Sequence, residues 1–118
     1  MPQLIDAPTR IPVPGGKTID EYVGRVTSGT DSVSVAHMVA PGGWGEPAQT
    51  PDFDEITVVL RGTVRVEHDN GSLDVNAGQA VITRAGERVR YLAPTDEGAE
   101  YVAVCLPAFA PDLAHRDD

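Results

Sequence analysis

The sequence predicts an all-β fold in a single domain. Three observations carry that expectation. Short runs rich in Val, Ile, Thr and Tyr alternate apolar and polar residues, the period-2 pattern of half-buried strands. Glycine and proline, 12 and 10 residues of 118, punctuate those runs at turn-like intervals. No segment holds a helical period long enough to cross between parallel strands, which leaves a β-sandwich or barrel.

The elements follow in order. "MPQLIDAPTRIPVPGG" (1–16) reads as an arm, and the first thirty residues contain Pro-separated apolar pieces: Ile5, Ile11, Val13, Ile19 and Val23. "DEYVGRVTS" (20–28) alternates weakly and gives a first strand. "SVSVAHMVA" (32–40) alternates more clearly and puts Val33, Val35, His37 and Val39 on one face. "FDEITVVL" (53–60) and "TVRVEH" (63–68) read as two strands, and "DNG" (69–71) closes a hairpin, because Asn and Gly accept the positive φ of such turns. "SLDV" (72–75), "QAVIT" (79–83), "RVRYL" (88–92) and "EYVAVCL" (100–106) complete the set. "PDLAHR" reads as a helical turn, and the acidic "HRDD" as a frayed end. The division is 1–30, arm and first strand; 31–107, barrel; 108–118, tail; all within one domain.

Charge narrows the partners. A net charge of −9 and a pI of about 4.6 give a surface that repels phosphate backbones and anionic lipid, so neither nucleic acid nor membrane is expected. No signal-peptide pattern and no membrane-length apolar run is visible, and a soluble cytoplasmic protein is expected. The single cysteine, Cys105, lies in an apolar run and reads as a buried, inert thiol.

The glycine spacing resembles that of the cupins. Their first motif runs Gly, five residues, His-x-His, three or four residues, Glu, six residues, Gly. From Gly43, this sequence gives Gln49-Thr50-Pro51, then Glu55, then Gly62. The second motif, Gly, five residues, Pro-x-Gly, two residues, His, three residues, Asn, falls on Gly78, Arg84-Ala85-Gly86, Val89 and Ala93. The resemblance covers residues 32–106 and implies a single-domain jelly-roll β-barrel. It also implies a homodimer. Where the family carries three metal-binding histidines, this chain has Gln49, Pro51 and Val89, and only Glu55 remains of the four ligand positions. One carboxylate and one amide do not make a tight site for Fe, Mn, Ni or Zn, so no metal or other cofactor is expected. The stretch "FDEITVVLRG" (53–62) is also similar to the ethanolamine-utilisation cupins, which depart from the histidine pattern too.

Strand alternation then assigns an interior. With Glu55 inward, Gln49, Pro51, Phe53, Thr57 and Val59 follow it, while Asp52, Asp54 and Ile56 face out. On the second-motif strand Val89, Glu87, Tyr91 and Ala93 face in, and Arg88 and Arg90 out. The expected pocket therefore groups Glu55, Gln49 and Tyr91 between walls of Phe53, Val59 and Val89, with His37 joining it and Trp44 and Glu46 at the lip.

A carboxylate between apolar walls is harder to ionise, which suits Glu55 to acid–base catalysis near neutral pH. Gln49 and Tyr91 would hydrogen-bond a carbonyl or oxyanion. Three readings stand. In the first, Glu55 catalyses proton transfer, as in an isomerase, lyase or cyclase acting on a small carbonyl compound. In the second, the barrel binds or senses a ligand without chemistry, and Glu55 is a structural acid. In the third, a non-standard divalent metal sits on Glu55, Gln49, His37 and Glu46.

Overall fold

A computed structural model describes residues 1–117. Eight strands and one helical turn form: β1 (Thr9–Ile11), β2 (Thr18–Val23), β3 (Ser34–Ala40), β4 (Asp54–His68), β5 (Gly71–Asn76), β6 (Ala80–Thr83), β7 (Val89–Leu92), β8 (Ala99–Leu106) and α1 (Pro111–Ala114). All strand pairs are antiparallel, in the order β1-β2-β3-β8-β4-β5, with β6 and β7 also pairing with β4.

The fold turns on β4. The segments 53–60 and 63–68 do not form two strands; they are one strand of 15 residues. Its first half, Glu55 to Val58, is flanked by β6 and β8; its second half, Thr63 to His68, by β5 and β7. The register slips between Val59 and Arg61, and this bulge bends the strand from one sheet into the other. Gly62 makes the bend sterically feasible. Its φ is +76°, and a Cβ there would run into the carbonyl oxygen of Gly98.

The main core lies between the sheets. Val59, Val64, Val66, Val75, Val89, Tyr91, Ala99 and Tyr101 are buried together, with Trp44 against them. A second, smaller cluster under the C-terminal turn holds Phe53, Cys105 and Ala114, packed by Phe109 and Leu113.

Both chain ends belong to the barrel, which corrects two expectations. The arm contains β1, which pairs with β2 from Thr9↔Glu21 to Ile11↔Ile19. β1 has only three residues, and its Thr-Arg-Ile offers no readable alternation. The tail is not frayed through residue 117. The amides of Thr50, Asp52 and Asp117 donate to the carbonyls of His115, Leu113 and Ala48, so the segment after α1 lies as a strap along residues 48–52. Arg88 and Asp117 add an ion pair across the surface. Among the described residues, no helix is long and apolar enough to cross a membrane.

Candidate functional site

A cavity of about 270 Å³ opens inside the barrel between β2, β3, β4, β8 and the two chain ends. Its polar wall contains Glu55, Gln49, Tyr91, Tyr101, Glu46, Lys17 and Arg116, and its apolar wall includes Ile11, Ile19, Ala36, Met38 and Phe109. An outer hollow of about 300 Å³ shares Lys17, Glu46 and Arg116 with it, so these three charges stand between the two spaces.

Alternation along the first-motif strand places Glu55. Gln49, Pro51, Phe53, Glu55, Thr57 and Val59 are buried, and Asp52, Asp54 and Ile56 are not. Burial and the neighbouring Glu46 carboxylate raise the Glu55 pKa from 4.5 to about 7, against a smaller opposing pull from Lys17 and Arg116. Gln49 is fixed by its backbone, which bridges to Val89 on one side and to Arg116 on the other. Tyr91 is held by a 2.7 Å hydrogen bond between its hydroxyl and that of Thr83. Burial pushes the hydroxyls of Tyr91 and Tyr101, and the thiol of Cys105, well above their ordinary pKa values. Cys105 lines the cavity as a protonated thiol, not a nucleophile.

Three buried polar atoms lack a well-formed hydrogen bond among the described residues, Gln49 Oε1, Thr57 Oγ1 and Tyr101 OH, although the Thr57 hydroxyl stands near enough to the Glu55 carboxylate to favour its charged form. An unpaired buried polar group costs about 1–3 kcal/mol, so such groups are matched by water or ligand. Two of the three belong to residues that line the cavity, and Thr57 lies two positions from Glu55 on the same strand face.

Several expected positions need correction. His37 does not join the cavity. It lies on the outer face of β3, where Nε2 is 2.7 Å from Glu100 Oε2, while Ser34, Ala36 and Met38 face inward. Two of these three inward residues, Ser34 and Ala36, are small where the cavity occupies the space, so the valine face is the outer one. Phe53 and Val89 are buried but pack in the two cores and do not wall the cavity, and Val59 likewise belongs to the core. Glu87 is exposed, since the chain is still turning there and its Oε1 accepts the Arg84 amide. Trp44 is 8% exposed, packs in the main core and borders the outer hollow.

Sequence reasoning missed Lys17, Arg116, Tyr101 and Glu21. Gly15 and Gly16, with φ of +86° and +79°, turn the chain so that Lys17 enters the barrel, with its ammonium 4.1 Å from the Trp44 ring centre. Burial lowers the Lys17 pKa, although Glu46 and Glu55 oppose this. Arg116 Nη2 stands 3.5 Å from Glu46 Oε2. Glu21 is a structural acid whose carboxylate accepts from the amide and hydroxyl of Thr27. Only the Tyr101 position carried a usable signal, because alternation along 99–105 puts Ala99, Tyr101, Ala103 and Cys105 on one face. Lys17 and Arg116 reach the site from the two ends of the chain, which no local pattern records.

The family profile described as "Cupin domain" matches residues 35–105. The chain belongs to the cupin domain family. It is 44% identical over 107 residues to a Myxococcus xanthus protein named Endoribonuclease YbeY, covering 91% of this chain and 36% of that protein. The chain thus spans little more than a third of that relative. Among solved structures, a tryptophan-to-tyrosine variant of the oxalate decarboxylase of Bacillus subtilis superposes with a TM-score of 0.77 at 18% identity, over 95% of this cupin and 31% of that chain. KdgF from Halomonas sp. gives 0.70 at 17% identity, over 86% and 89%. A putative ethanolamine utilization protein Q from Salmonella typhimurium LT2 gives 0.61 at 20%, over 79% and 71%. At these identities the structural likenesses establish the jelly-roll fold alone.

The four positions matching the family's metal ligands are occupied by Gln49, Pro51, Glu55 and Val89. Among the described residues, no group of three or more His, Cys, Asp or Glu side chains is placed to hold a metal ion. The cavity also contains Lys17 and Arg116, whose positive charges oppose a cation. These donors do not fit the family's metal, and the metal reading based on His37 loses a ligand to the outer face.

Proposed function

We propose that this cupin binds a small carbonyl-containing metabolite and moves a proton on it with Glu55, without a metal. The observation that carries the reading is a carboxyl group with a pKa near 7 facing a cavity with unpartnered polar atoms. At neutral pH such a group is present in both protonation states, so it can take a proton and return it. In the forward step the Glu55 carboxylate removes a proton from the carbon beside a carbonyl, and the electron pair moves onto the carbonyl oxygen. The Gln49 amide N–H or the Tyr101 hydroxyl donates to that developing oxyanion. The oxyanion's electron pair then returns. In a β,γ-unsaturated substrate the double bond shifts and the γ-carbon takes the proton back from Glu55, giving isomerisation. In a β-hydroxy substrate the β C–O bond breaks and the departing hydroxyl takes the proton to leave as water, giving dehydration.

The cavity is at the small end of ligand sites, which favours a metabolite of a few heavy atoms over a polymer. The net charge of −9 argues in the same direction, against carrying the nuclease name of the longer Myxococcus relative to this chain.

The test is deuterium wash-in. Small 2-oxo acids, aldehydes and ketones are incubated with the protein in D₂O and followed by NMR. The expected result is catalysed exchange beside the carbonyl that disappears in Glu55→Gln and gains rate as pH rises through about 7. Exchange that persists unchanged in Glu55→Gln overturns the role of Glu55. Binding without any exchange supports a ligand-binding barrel with no chemistry.

A further inference from the structure

We propose that Lys17 forms an anion subsite at the neck of the cavity and that the molecule admitted is a small organic carboxylate. The proposal specifies the ligand class of the site above, yet it stands on different residues.

Lys17 is the one cavity cation without a carboxylate at ion-pair distance among the described residues. Arg116 faces Glu46 at 3.5 Å, whereas the Lys17 ammonium lies 4.1 Å from the Trp44 ring centre and 5.3 Å from that of Tyr101. The two rings fix its position without neutralising it. Desolvation of this ammonium is only partly offset by Glu46 and Glu55, the two acids that face it, and Arg116 works against it. Glu46 is already committed to Arg116, and Glu55 is only partly ionised near pH 7. Lys17 is half-buried, and a ligand carboxylate would supply the missing counter-charge where an ion pair is less screened than at the open surface.

The location fits this role. Lys17 lines both the cavity and the adjoining hollow, so a ligand held in either space can reach its ammonium. Tyr101 presents an unpartnered hydroxyl to the same cavity and can donate to a carboxylate oxygen, while Gln49 Oε1 is open to a hydroxyl or amine farther along the ligand. The apolar wall of Ile19, Met38 and Phe109 then suits a short hydrocarbon portion.

The experiment measures binding alone, by NMR shift perturbation and calorimetry, in wild type and in Glu55→Gln, where turnover is not required. The probes are butyrate and 2-oxobutyrate against the neutral butyramide and butan-2-one. The expected result is that each carboxylate binds at least about tenfold tighter than its neutral counterpart, that Lys17→Met removes the preference, and that Lys17→Arg retains it. Circular dichroism establishes that both variants are folded, and the arginine variant tests the charge if the methionine variant is not. Equal affinity for acid and amide, no binding of either acid, or an undiminished preference in Lys17→Met overturns the proposal. If the preference is present but deuterium wash-in is absent, the subsite stands and the catalytic role of Glu55 falls.

Discussion

At the scale of single residues, Glu55 ties stability to pH. Its folded pKa of about 7 lies above the ordinary 4.5, so between these values the folded chain retains a proton that the unfolded chain has released. Stability from this group is therefore highest below the ordinary carboxylate pKa and falls as pH rises to about 7. Glu55→Gln does not titrate. Urea unfolding should show it gaining between about 2 and 3 kcal/mol on wild type from pH 5 to pH 8. A constant difference across that range would contradict the buried, proton-holding state. The neighbours should tune the same group: Glu46→Gln lowers the Glu55 midpoint and Arg116→Ala raises it, readable by carboxyl ¹³C titration. Tyr91 gives a separate check. Tyr91→Phe removes the 2.7 Å bond to Thr83 and should cost about 1 kcal/mol in thermal or urea unfolding, with the Glu55 midpoint close to its wild-type value.

At the scale of elements, β4 controls the architecture, and its bend is the sensitive point. Gly62→Ala adds a Cβ against the Gly98 carbonyl in a left-handed backbone conformation, and should cost more than about 2 kcal/mol by urea unfolding. Ala at Gly29, whose φ is also positive but whose surroundings are open, should cost less. The inward face of β4 was legible through the family match at Glu55, which sets the phase for Thr57 and Val59; the outward Ile56, Val58 and Leu60 are at least as apolar, so composition alone would not have chosen the side. The bulge at Val59–Arg61 was not legible: a glycine after a strand signals a turn or a bend equally well, and 53–60 and 63–68 read as two strands. On β3 the contrast was reversed. Ser34 and Ala36 must be small to leave room for a ligand, so the valines on the outer face looked like the core side. β1 was too short to show a period, and the strap after α1 is held by backbone hydrogen bonds that side-chain patterns do not encode.

At the scale of the whole molecule, one face of the barrel remains apolar. Val58, Leu60, Ile82 and Leu106 are between 38% and 52% exposed. Val58 pairs with Val102, and Ile56 lies between Ile82 and Val104, so the outward side chains of β6, β4 and β8 are neighbours. We infer that this face serves the homodimer expected of the resemblance. Light scattering should give a mass of two chains, and the double change Val58→Lys with Ile82→Lys should yield a folded monomer. A wild-type monomer at high concentration would remove the inference. The strap has a different kind of consequence. The amides of Thr50, Asp52 and Asp117 are tied across a seam whose Arg116 borders the cavity, and the core of β4 is not part of that seam. Hydrogen–deuterium exchange at these three amides should therefore report cavity occupancy locally. They would slow when a molecule is inside, while amides deep in β4 keep their rates, which gives a way to screen for the ligand before its identity is known.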